Sequence, residues 1–178
     1  ANDGVSCTVC HQIKPDNFGY TQSYSGGYII EADSILYGPY QNSDTILMPS
    51  VIGYTAAYGP HMDQSELCAT CHTLFTPFID NSGNFSGYFP EQTPYLEWKN
   101  SIYPAQNIQC QDCHMPDVPG EASSQSKAVY RPDDSIEHPK SGVPAHDMTG
   151  GNVWVPRLLA STVPNSPNFD TENLAILG

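Results

Sequence analysis

The chain has 178 residues, and its 6 basic and 19 acidic side chains give a net charge of −13. An acidic chain repels the phosphates of nucleic acids and anionic membrane surfaces, so neither is an expected partner; the charge serves solubility or steers a basic redox partner. No run of about 18 apolar residues occurs, which excludes a membrane-spanning helix from the sequence.

In chain order, the first predicted element is a Cys-x-x-Cys-His motif that begins at Cys7. Residues 12–60 then form a long connection. Within it, Gly19–Ala32 is predicted to be a β-hairpin, because β-favouring Tyr-Thr-Gln-Ser-Tyr and Tyr-Ile-Ile segments flank a Ser-Gly-Gly sequence. The Tyr-Gly-Pro sequences at 37–39 and 58–60 indicate turns, and the second places His61 on a rigid loop.

Short helices are predicted around the second and third motifs. One begins near Asp63 or Ser65, with Asp63 and Glu66 as a capping box, and carries the second motif. Residues 81–87 form a polar turn, and the third motif lies on its own turn of helix.

A further helix is predicted between these two motifs. Thr93 caps it, Pro94 lies in its first turn, and it extends to Tyr103, where Pro104 ends it. Residues 117–145 are polar and rich in proline, which is typical of an extended loop.

The three Cys-x-x-Cys-His motifs use all six cysteines and half of the six histidines. By composition, one such motif should occur about 0.007 times in a chain of this kind. Two thiols three positions apart reach the two vinyl groups of one porphyrin and form thioethers, and the adjacent His binds the iron. The predicted cofactor is therefore three covalent haem c groups with their iron, attached through Cys7, Cys10, Cys68, Cys71, Cys110 and Cys113 and ligated by His11, His72 and His114.

Other uses of the cysteines explain the pattern less well. A disulfide framework gives no reason for a His after every second cysteine. Zinc sites usually combine two ligand pairs, and three pairs cannot be matched two by two. A thioredoxin-like motif normally occurs once, beside a βαβ pattern that this sequence lacks.

Three histidines lie outside the motifs, and three haem irons need three further ligands. His61, His146 and His138 are therefore the predicted distal ligands, and each could instead be an ordinary surface histidine. Methionine is the competing axial ligand and would raise the reduction potential. Met48, which precedes Pro49 in a predicted loop, is the main candidate for that role.

Several segments together resemble the multihaem c-type cytochromes related to the tetrahaem electron carriers of nitrifying bacteria and to hydroxylamine oxidoreductase. The resemblance is carried by Gly4–His11, Tyr37–Tyr40, Gly59–His61, Ser65–His72, Glu91–Tyr103, Cys110–Pro116 and His146–Asn152. It implies closely stacked haem groups, and it places His61 and His146 where the family has distal ligands, but gives no such support to His138.

The expected fold is that of a multihaem cytochrome c: short helices that carry the haem motifs, long loops, one small hairpin, and haem groups as the core. The 14 glycines and 16 prolines oppose long regular elements. Relatives usually carry four or more haems and continue beyond the Gly-Gly-Asn sequence. Residues 1–178 are therefore expected to be one trihaem domain, or a fragment of a larger cytochrome.

The leading functional hypothesis is electron transfer, because an iron with two imidazole ligands has no open position for a substrate. The alternatives are a haem domain of an oxidoreductase acting on nitrite, hydroxylamine or a sulfur oxyanion, and a subunit of a homopolymeric extracellular filament. The expected partners are redox proteins, among them other multihaem cytochromes. The expected location is the bacterial periplasm or cell exterior, where haem attachment to this motif takes place.

Overall fold

The computed structural model describes residues 6–39, 47–118, 143–146 and 148. Regular elements in this part of the chain are short. The helices are α1 (Cys7–Gln12), α2 (Leu47–Ile52), α3 (Ser65–Ala69), α4 (Pro94–Lys99) and α5 (Cys110–His114). The strands are β1 (Ile35–Gly38), β2 (Thr55–Tyr58), β3 (Leu74–Ile79), β4 (Phe85–Gln92), β5 (Asp117–Val118) and β6 (Val143–Pro144). Single turns of 3-10 helix lie at Thr21–Ser23, Pro60–Asp63 and Pro104–Gln106.

The strands form three separate pairs. β1 and β2 are parallel, from Ile35 opposite Thr55 to Gly38 opposite Tyr58. β3 and β4 form an antiparallel hairpin, and β5 and β6 pair over two residues each. No helix within the described ranges is long and apolar enough to cross a membrane.

The predicted hairpin at Gly19–Ala32 is wrong. The segment contains the Thr21–Ser23 turn, and its internal backbone bonds are turn bonds such as Gly27 N–H to the Tyr24 carbonyl, not a strand pair. The N–H groups of Ser25 and Gly26 donate to the carbonyls of Thr73 and Thr70, at 2.9 and 2.8 Å. The Ser-Gly-Gly sequence therefore anchors this loop to the end of the second motif.

The hairpin in this structure is β3–β4, whose turn lies in the polar segment predicted at residues 81–87. The Asp80 carboxylate accepts hydrogen bonds from the N–H groups of Ser82 and Asn84, at 2.8 and 2.9 Å. Gly83 has a φ of +82°, which favours glycine. Large side chains on this hairpin are exposed: Phe78, Ile79, Phe85, Tyr88 and Phe89.

The sequence predicted where helices begin more accurately than it predicted their caps and their ends. α3 begins at Ser65 as predicted, but no side-chain hydrogen bond caps it, so the predicted capping box is wrong. α4 has Thr93 at its N-cap and Pro94 in its first turn as predicted, but Thr93 likewise makes no capping hydrogen bond.

Two further boundaries differ from the sequence prediction. α4 ends at Lys99 rather than Tyr103, because the side chains of Asn100 and Ser101 bond to the carbonyls of Leu96 and Trp98. Met48 lies in α2 rather than in a loop, since Pro49 is tolerated in a first helical turn.

The segment predicted as one extended loop, residues 117–145, is paired at its two ends. β5 bonds to β6, and the Ala145 N–H donates to the Pro116 carbonyl at 3.0 Å. This pairing brings His146 back beside the end of the third motif.

The apolar core is small and aromatic. Tyr24, Ala69 and Tyr95 form its buried centre, with Phe75, Leu96 and Trp98 packed around them. The Tyr95 ring stacks on Trp98 with a centroid distance of 5.5 Å, and its hydroxyl donates to Glu66 at 3.1 Å. Tyr95 thus joins α4 to α3, the helix of the second motif.

Replacing Tyr95 by alanine should lower the free energy of unfolding by about 3–5 kcal/mol, because it removes a buried aromatic side chain and leaves a cavity. Thermal unfolding followed by far-UV circular dichroism measures the change. Tyr20→Ala is the matched control, since Tyr20 is 70% exposed. Equal effects of the two substitutions would contradict the central position of Tyr95.

Candidate functional site

Each Cys-x-x-Cys-His motif lies on or directly after a short helix. α1 carries the whole first motif and α5 the whole third. α3 carries Cys68 but ends at Ala69, so the prediction that this helix also carries Cys71 and His72 is wrong. The N–H groups of Cys71 and His72 still bond to the Cys68 carbonyl, which keeps them in helical continuation. All six cysteines are free thiols.

The second motif lies between the other two. The Cys68 side chain lies next to Cys110 of the third motif. Cys10 of the first motif lies close enough to Cys71 and Cys68 for their charges to interact. The fold therefore gathers three motifs that are far apart in the sequence.

The close approach of the thiols changes their acidity. The neighbouring Cys68 thiol lowers the pKa of Cys110. Cys110, followed by burial, raises the pKa of Cys68. Burial is the main cause of the raised pKa of Cys10.

Ser65 and Gln109 join the starts of α3 and α5, and we refer to their contact as the Ser65–Gln109 link. The Gln109 Oε1 accepts hydrogen bonds from the Ser65 N–H at 3.0 Å and from the Ser65 hydroxyl at 2.9 Å. The Ser65 Oγ in turn accepts a bond from the Cys110 N–H at 2.9 Å. Ser65 is fully buried. Sequence reasoning did not find this link, because its two residues are 44 positions apart.

Backbone carbonyls fix the orientation of three histidines. The Nδ1 of His11 bonds to the Tyr37 carbonyl at 2.5 Å, and the Nδ1 of His146 bonds to the Pro144 carbonyl at 3.0 Å. His61 instead uses Nε2, which bonds to the Ile13 carbonyl at 2.9 Å.

A carbonyl only accepts hydrogen bonds, so the ring nitrogen facing it is the one that carries hydrogen. The opposite nitrogen of a neutral imidazole then holds the lone pair that binds a metal. That nitrogen is Nε2 in His11 and His146, and Nδ1 in His61. The fold thus selects the tautomer of each histidine.

The structure brings the predicted proximal ligand His11 next to the predicted distal ligand His146. Their ring centroids are 6.3 Å apart, and the ring planes are inclined by 22°. A metal–imidazole bond is about 2.0 Å long and a ring centre lies about 1.1 Å from its nitrogen, so two imidazoles on opposite sides of one metal have centroids about 6.2 Å apart. The observed separation matches that distance, and the two rings, inclined by 22°, are stacked.

His61 is held in a closely packed environment. Only 4% of it is exposed, and the rings of Tyr37 and Phe18 both meet it edge-on, with centroid distances of 4.9 and 5.9 Å. Burial lowers the pKa of His61, so its imidazole is neutral at pH 7. A Cβ atom on Gly59 would lie 2.6 Å from the His61 Cε1 atom, so glycine is required there.

The other predicted ligands are less closely defined. His72 and His114 are exposed, and the side chain of Met48 is half-buried. His138 lies outside the described residues.

The side chains of His11 and His146 fit a haem group. A haem iron takes only two ligands from the protein, and the His11 and His146 rings have the spacing and the tautomers for that role. Within the described ranges, no three or more His, Cys, Asp or Glu side chains converge on a position where they could hold a metal ion by themselves.

Comparison with known proteins gave no match among protein-family models, curated proteins or solved structures.

Proposed function

We propose that this protein transfers electrons through three covalently bound haem c groups. The observation that carries the proposal is the His11–His146 pair: two imidazoles at the separation expected for opposite faces of one iron, each held by a backbone carbonyl through Nδ1. The thiols of the three Cys-x-x-Cys-His motifs would attach the porphyrins.

The side chains of this site bind and orient rather than react. When bound, haem supplies one-electron redox chemistry. The carbonyls of Tyr37 and Pro144 hold the imidazoles of His11 and His146, so their orientation is the same in both oxidation states. Two protein ligands leave no open position for a substrate, which favours electron transfer over catalysis.

The gathering of the three motifs also supports electron transfer. Because hydrogen bonds join Ser65, at the start of the second motif's helix, to Gln109 and Cys110 of the third, haem groups attached there would lie next to one another. The redox partners proposed are other multihaem cytochromes, in the periplasm or outside the cell.

The test is an intact mass combined with an electron spin resonance spectrum of the oxidised holoprotein at low temperature. The expected mass is that of the chain plus three haems, and the expected spectrum is that of low-spin iron with two imidazole ligands. The reduced protein should not bind carbon monoxide. A high-spin signal and carbon monoxide binding in the unmodified protein would favour an enzyme with an open iron position.

A further inference from the structure

The starts of α3 and α5 are joined by more than the Ser65–Gln109 link. The Gln111 Nε2 donates to the Met62 carbonyl at 3.0 Å and to the Gln64 carbonyl at 2.9 Å. Gln109 and Gln111 therefore fasten α5 to the residues that begin and precede α3. These bonds fix the distance between the two helices.

The same contacts bring two thiols together. Cys68 lies three residues after Ser65, and Cys110, which directly follows Gln109, donates its N–H to the Ser65 hydroxyl at 2.9 Å. Both are the first cysteine of their motif. These two thiols would attach the second and third haem groups, so the two groups would be held near each other.

We infer that Ser65 and Gln109 are positioning residues that hold the second and third haem groups edge to edge and so set the rate of electron exchange between them. The inference rests on the proposed electron-transfer function and adds to it the residues that determine one inter-haem distance. Electron transfer between haems slows steeply as the distance between their edges grows, so a small separation of α3 and α5 has a large effect on the rate.

The hydrogen bonds of the link explain why these two side chains carry this role. The Ser65 hydroxyl donates to Gln109 and accepts from the Cys110 N–H, so removing it leaves the partly buried Cys110 N–H without its partner and leaves the Gln109 Oε1 with only the N–H of residue 65. Removing the Gln109 amide frees the Ser65 N–H and hydroxyl in the same way. Either change lets the helices move apart, although neither residue is predicted to touch iron or to bond to a porphyrin.

The experiment compares the holoproteins of Ser65→Ala, Gln109→Ala and Gln109→Glu with the wild type. Flash reduction starts the reaction, and the spectral changes that follow give the rate of electron redistribution among the haems. Both alanine variants should slow one phase severalfold while keeping three haems and low-spin spectra. Gln109→Glu keeps the oxygen that accepts both Ser65 bonds, so its rate should lie near that of the wild type. The control is Gln106→Ala, at an exposed position before α5.

The outcomes separate this inference from the proposed function. Unchanged redistribution in Gln109→Ala, with three low-spin haems present, would overturn the positioning role and leave electron transfer intact. So would an equal slowing in Gln106→Ala. A wild-type protein without three low-spin haems would instead overturn the proposed function. If Ser65→Ala does not fold, the contrast between alanine and glutamate at position 109 still decides.

Discussion

Replacing His146 by alanine should convert one of the three haem groups from low-spin to high-spin and allow it to bind carbon monoxide when reduced. The expectation follows from the 6.3 Å separation of the His146 and His11 rings, which suits two ligands of one iron. Alanine removes one of the two imidazoles, and no replacement ligand is supplied. Spin resonance of the oxidised protein and carbon monoxide difference spectra of the reduced protein measure the change, which should involve one haem in three.

Two further variants make this result specific. Met148→Ala alters an exposed side chain two residues away and should leave all three haems low-spin. His146→Met should restore a sixth ligand of a different kind, with a low-spin spectrum and a higher reduction potential for that haem. If His146→Ala remains fully low-spin and does not bind carbon monoxide, His146 is not a ligand.

Replacing Gly59 by alanine should destabilise the protein and disturb the ligation of its haems. The added Cβ would lie 2.6 Å from the His61 Cε1 atom and 2.8 Å from the Tyr37 Cβ atom. Such overpacking costs about 1–3 kcal/mol. Tyr37 also provides the carbonyl that holds His11, so the same displacement reaches two predicted ligands. We expect a lower unfolding temperature and a partial high-spin signal in the same preparation.

Gly38→Ala provides the matched control. Gly38 lies beside Gly59, whose N–H donates to the Gly38 carbonyl at 2.8 Å, yet a Cβ on Gly38 would meet nothing within 4 Å. It should therefore leave stability and spin state close to those of the wild type. If Gly59→Ala and Gly38→Ala have the same unfolding temperature, the side chains packed around His61 accommodate an extra methyl group and the prediction is wrong.

The parts of the fold that sequence reasoning could predict are those determined by neighbouring residues. The start of α4 at Pro94 and the helix of the third motif follow from local signals, namely a proline in a first turn and the spacing of the motif itself. The polar turn of the β3–β4 hairpin is another such case, because Asp80 bonds to the backbone of its own loop.

The parts that could not be predicted depend on contacts between distant residues. The segment Gly19–Ala32 was expected to form a hairpin, but the N–H groups of Ser25 and Gly26 donate to the carbonyls of Thr73 and Thr70, in and just after the second motif. The parallel pairing of β1 and β2 leaves no local signature, since parallel strands are joined by a long connection.

The same division applies to the candidate site. The motif cysteines and the histidines were identified as candidates from their types and spacing, and their role as haem ligands stays a prediction. The pairing of His146 with His11 depends on the short β5–β6 pair, and the selected tautomers depend on the carbonyls of Ile13, Tyr37 and Pro144. Backbone carbonyls occur at every residue, so no sequence pattern indicates which of them will face an imidazole.

The pairing of His11 with His146 has a consequence for the folding of the chain. If the two rings bind one iron, that iron is a cross-link between residues about 135 positions apart, and closing a loop of this length is worth about 5 kcal/mol in the loop-entropy description of disulfides. The buried side-chain core is small, with Tyr24, Ala69 and Tyr95 at its centre, so this contribution would be a large share of the total stability. Unlike a disulfide, the link opens without chemical cleavage whenever the iron exchanges its imidazole for another ligand. Whether His146 occupies that iron would then decide how firmly the two ends of the described chain are held together.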